Sequence, residues 1–66
     1  MEIQVNGELV RVCEPMDLAA YLQTLKLDFD RVVVEYNGAI VPREEWPEIR
    51  LSAGDRVEIV QFVGGG

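Results

Sequence analysis

Histidine is absent from this chain, cysteine occurs once, and lysine and arginine together number six. Each shortage removes a class of explanation. A single cysteine cannot close an intramolecular disulfide, and without histidine the common Cys/His zinc sites cannot be assembled. A thiol also needs a depressed pKa to act as a nucleophile, and no histidine is present to supply a base. Cys13 therefore reads as a small, semi-buried apolar residue at the end of a strand. Twelve acidic residues against six basic ones give a formal charge of -6 and a pI near 4.3. That sign is wrong for binding phosphates, so no nucleic-acid partner is expected and a basic protein surface is favoured. No apolar run is long enough to span a membrane, and the N-terminus lacks the basic and apolar regions of a signal peptide. No membrane association and a cytoplasmic location are the expectations. The carboxylates, with no pocket or partner groups evident, read as a solvated surface. No catalytic pair, no metal site and no bound cofactor is expected.

What remains is one small domain. A chain of 66 residues buries only about 60% of the surface that its unfolded form exposes, so its stability margin is thin. With neither disulfide nor zinc to staple it, the apolar core must hold the fold alone. Its hydrophobic content of 48% is ordinary for a globular protein and argues against disorder despite the charge. No internal repeat or linker divides the chain.

Two Asn-Gly pairs punctuate it. Asn6-Gly7 separates Met1–Val5 from Glu8–Cys13, and Asn-Gly suits the positive φ angles of a type I′ hairpin turn. A two-residue loop there sets Val5 opposite Glu8 and Ile3 opposite Val10. Ile3, Val5, Val10 and Val12 then share one face, and Leu9 is left exposed. Asp17 is a good N-cap for a helix over about residues 18 to 26, with Leu18, Leu22 and Leu25 at helical spacing. Asn37-Gly38 predicts a second hairpin that pairs Tyr36 with Ala39 and Val34 with Val41. Pro42 ends its short second strand, because proline has no amide hydrogen to donate. Pro42 to Pro47 reads as an irregular or single helical turn bounded by prolines, with Trp46 covering one end of the core. Ser52-Ala53-Gly54-Asp55 is a turn leading into a last strand.

One helix can cover only one face of a sheet. The expected fold is α+β, a mixed four- to five-stranded sheet with one helix packed on one face. In the last strand Val57 and Ile59 point inward, so Glu58, Val60 and Phe62 point outward and form a candidate contact surface. After that strand the sequence ends in Gly64-Gly65-Gly66. Glycine gives up the most backbone entropy when ordered and has no side chain to pack, so three in a row suit access better than stability. The division expected is a domain over 1–63 and a flexible tail over 64–66. A frayed end is the plain alternative.

The segment Asn37-Gly38-Ala39-Ile40-Val41-Pro42-Arg43-Glu44-Glu45-Trp46, followed by Leu51, Gly54-Asp55, Val57-Glu58-Ile59-Val60 and the final glycines, resembles the sulfur carrier proteins of thiamine biosynthesis. These are ubiquitin-like β-grasp proteins. The resemblance implies a carrier that is a substrate of enzymes and not itself an enzyme. An E1-like adenylyltransferase consuming ATP would adenylate the carboxylate of Gly66. A sulfur donor such as a cysteine desulfurase or persulfide protein would convert it to a thiocarboxylate for thiazole synthase. Gly64, Gly65 and Gly66 would enter the partner's active site, and Glu58, Val60 and Phe62 would lie on the docking face. A carrier like the small subunit of molybdopterin synthase and a ubiquitin-like protein modifier are the alternatives.

Overall fold

The computed structural model describes residues 1–63. Five strands form one sheet: β1 (Glu2–Val5), β2 (Glu8–Arg11), β3 (Val32–Tyr36), β4 (Ala39–Ile40) and β5 (Arg56–Gln61). Their order is β2-β1-β5-β3-β4, with β1 and β5 parallel and the other neighbours antiparallel. One helix, α1 (Leu18–Gln23), and two 3₁₀ segments, Phe29–Arg31 and Arg43–Glu48, complete the architecture.

Both hairpins form in the register set by their turns. Ile3 faces Val10 and Val5 faces Glu8 in the first, and Tyr36 faces Ala39 in the second. Asn6 and Gly7 take φ of 51° and 82°, and Asn37 and Gly38 take 51° and 90°. Positive φ at both central residues is the type I′ geometry, which follows the twist of the strands it joins. Val34 and Val41 are linked by a 3.0 Å bond from the Val41 amide to the Val34 carbonyl, although β4 itself stops at Ile40.

Asp17 caps α1, its carboxylate accepting from the Ala20 amide at 2.7 Å. The helix is shorter than the leucine spacing predicts, ending at Gln23 and not near Lys26. The Thr24 hydroxyl donates to the Tyr21 carbonyl at 2.6 Å. The amides of Thr24 and Leu25 also bond three residues back, to Tyr21 and Leu22, which tightens and ends the last turn. Leu25 still packs against the core from beyond the helix end.

The core is a single cluster. Ile3, Val34 and Val57 from the sheet meet Leu18, Tyr21 and Leu22 from α1, and Val12, Trp46 and Leu51 close the ends. Trp46 is buried and donates its indole N–H to the Val41 carbonyl at 3.2 Å. Pro47 lies inside the 3₁₀ segment and does not bound it as expected. The turn bonds at its two ends run from the Glu45 amide to Pro42 and from the Ile49 amide to Trp46, so neither needs a Pro47 donor. Cys13 corrects the sequence expectation as well: it is exposed and lies beyond β2. Val12 takes the inward position there, and alternation turns the next side chain out.

Candidate functional site: the uncovered face of the sheet

The helix covers the face bearing Ile3, Val34 and Val57, and among the described residues no second layer lies over the opposite face. Register places its residues in rows. Glu58 lies opposite Glu35, Val60 opposite Val33, and Ile40 beside Glu35 on the edge strand. Val60 is 50% exposed, Phe62 56% and Ile40 68%, whereas Val57 on the covered face is fully buried. The outward reading of Val60 and Phe62 therefore holds for their positions, and Glu58 is half-buried between them and the strand start. Phe62 stays tied to the sheet, its amide donating to the Arg31 carbonyl at 2.7 Å. Val63, 96% exposed, packs against little. The expectations for Gly64, Gly65 and Gly66 fall outside the described residues.

Sequence reading missed Val33, Glu35 and Ile40 as members of this face. The signal was available in part. Val34 and Tyr36 read as inward, and alternation then sends Val33 and Glu35 outward. What alternation within one strand cannot supply is the neighbour across the ladder, and it is the β3 to β5 pairing that brings Glu35 against Glu58.

The strand that carries the face is anchored by a polar network at its start. Asp55 is 8% exposed and its carboxylate accepts from the Tyr36 hydroxyl at 2.6 Å, the Ser52 amide at 2.7 Å and the Asn37 side-chain amide at 3.3 Å. Burial alone would push the Asp55 carboxyl up, but these donated hydrogen bonds outweigh it and hold it below its ordinary value. Tyr36 moves the other way, pushed up to about 12 by burial, by its bond to Asp55 and by the negative charge of that carboxylate. Asn37 also accepts from the Arg56 amide at 2.8 Å, and Asn6 accepts from the Ile59 amide at 2.7 Å. The two turn asparagines thus hold β5 as well as shaping their own hairpins. This network is structural. It sits at the head of the last strand, and among the described residues no group of histidine, cysteine and carboxylate side chains is arranged to hold a metal ion.

A mixed five-stranded sheet with one helix on one face, and a last strand running through the middle of the sheet, defines a β-grasp protein of the ubiquitin-like class. The family model described as "ThiS family" matches residues 1–66, and the chain belongs to that family. It is similar to the crystal structure of the thiamine biosynthesis protein ThiS from Geobacter metallireducens, with a TM-score of 0.84 and 35% identity over 100% of both chains. It is 35% identical to the sulfur carrier protein ThiS of Bacillus subtilis over 65 residues, 97% of this chain and 98% of that protein. It is also 38% identical to a thiazole synthase of Paramagnetospirillum magneticum over all of its 66 residues, but these span only 20% of that longer protein.

Proposed function

We propose that this chain is a sulfur carrier of thiamine biosynthesis, loaded and unloaded at its final carboxylate. The observation that carries the reading is the family match over residues 1–66, which includes Gly64-Gly65-Gly66. In this reading an E1-like adenylyltransferase joins the Gly66 carboxylate to AMP and releases pyrophosphate. A carboxylate is a poor electrophile, whereas its mixed anhydride with AMP carries a good leaving group. A persulfide donor displaces the AMP, and a thiol supplies the two electrons that cleave the remaining S–S bond and leave a thiocarboxylate. Thiazole synthase then draws on that sulfur while it is still tethered to a protein, so free sulfide need not be released. The side chains of the domain supply no step of this chemistry. They present the tail, and Glu58, Val60 and Phe62 contribute to the face by which the enzymes receive it.

Intact-mass measurement after incubation with the activating enzyme, ATP and a persulfide donor tests the reading. A gain equal to replacing one oxygen by sulfur is expected. A lysine-linked adduct would make the chain a protein modifier, and an unchanged mass would sink the carrier reading.

A further inference from the structure

Glu35 and Glu58 stand directly opposite each other on adjacent strands, on the face that the helix does not cover. Opposed residues in an antiparallel pair have Cβ atoms ~5 Å apart, and like charges there are destabilising. Both are half-buried, and no ion pair among the described residues includes either one. Arg56 lies two residues before Glu58 on the same side of β5, and no ion pair among the described residues includes it. By contrast Glu2 and Arg11, opposite each other on β1 and β2, do approach as an ion pair. The sheet therefore pairs opposite charges between β1 and β2 and leaves these two carboxylates near its middle outside every ion pair among the described residues, with Val33 and Val60 next to them on the same face and Ile40 across from Glu35.

We propose that Glu35 and Glu58 form a carboxylate clamp for an arginine on thiazole synthase, whose neighbouring apolar surface seats on Val60 and Phe62. The proposal rests on the carrier reading and names the partner group that the docking face selects. A guanidinium fits because its planar fork of donors can engage two carboxylates at once, and because it is more weakly hydrated than an ammonium group. Thiazole synthase is the occupant argued for because the relative from Paramagnetospirillum magneticum carries a domain matching all of this chain within one longer polypeptide. Such a linkage holds the domain against the rest of that enzyme at high effective concentration.

The test is calorimetric titration of thiazole synthase with the unmodified chain and with Glu35→Gln/Glu58→Gln, at low and high salt. The variant should melt ~2–4 °C higher, since the opposed charges are gone. It should bind about 30-fold more weakly and with a shallower salt dependence, as expected when one side of a desolvated charge pair is lost. Glu14→Gln/Glu48→Gln removes the same charge at two exposed positions outside the sheet and should bind as the parent does. Unchanged affinity in the sheet variant, an unaltered salt dependence, or an equal loss in the control would overturn the clamp. Binding is read without sulfur transfer, so this result is independent of whether the mass measurement supports the carrier reading.

Discussion

At the scale of single residues, Asp55 is the group whose chemistry reaches furthest. Its three donors come from the hairpin residues Tyr36 and Asn37 and from the turn at Ser52, so one carboxylate joins β3, the second hairpin turn and the start of β5. Its pKa is lowered in the fold from an ordinary 3.8, so the stability it contributes is present above about that pH and is lost as pH falls through the folded value. Tyr36 has the opposite sign. Raised from 10.0 to about 12, it contributes stability that is complete below pH 10.0 and is lost as pH climbs towards 12. Denaturant melts across pH should therefore show an acid limb that Asp55→Asn flattens and an alkaline limb that Tyr36→Phe reduces. Tyr21, raised by burial, should leave a residual alkaline slope in the Tyr36 variant. An alkaline limb unchanged by Tyr36→Phe would place the titration elsewhere. None of this was legible in the sequence. Asp55 stood within a recognised turn, but a turn motif specifies only local partners, and the Tyr36 hydroxyl comes from 19 residues away.

Elements were the most readable level, because their signals are local. The two Asn-Gly turns fixed register, and register fixed which side chains face the core. The sequence was silent on the second use of the asparagines, which accept hydrogen bonds from Ile59 and Arg56 at separations of 53 and 19 residues. Asn6→Ala should consequently cost more than an ordinary turn substitution. It strains a residue at φ of 51° and leaves the Ile59 amide without its acceptor, together about 1–3 kcal/mol in denaturant titration. A loss of a few tenths would mean that water replaces the side chain at no cost. The last strand invites a different test. Val60→Asp and Phe62→Asp lie at positions 50% and 56% exposed, so melting temperatures should fall little. An unpaired carboxylate brought into an apolar contact costs several kcal/mol, roughly a thousandfold in affinity for the activating enzyme and the thiazole synthase. A collapsed melt, or unchanged binding to both partners, would give the docking role to another face. The helix length was the clearest misreading at this level. Leucine periodicity reports which side chains are buried and not where the backbone stops, and Leu25 is packed against the core from outside the helix.

Across the whole molecule the two faces of the sheet divide the labour. The covered face holds the fold together, with Ile3, Leu18, Leu22, Val34 and Val57 the largest fully buried side chains. Leu22→Ala should remove ~2–5 kcal/mol, a large part of what a domain this small possesses, and leave it largely unfolded at physiological temperature. The uncovered face and the final glycines belong to the proposed function, and the division makes the two separable. Among the described residues every member of the buried core lies between Ile3 and Val57, and a glycine at position 66 has no side chain to add to it. In the proposed carrier role, adenylation depends instead on the position of one terminal carboxylate. Removal of Gly66, or extension of the chain past it, would then displace that group from where the activating enzyme holds ATP. Circular dichroism of either variant should match the parent spectrum, while ATP–pyrophosphate exchange catalysed by the activating enzyme should vanish. Undiminished exchange in a chain that ends at Gly65 would show that the last glycine is not the residue being activated, and the carrier reading would fall with it.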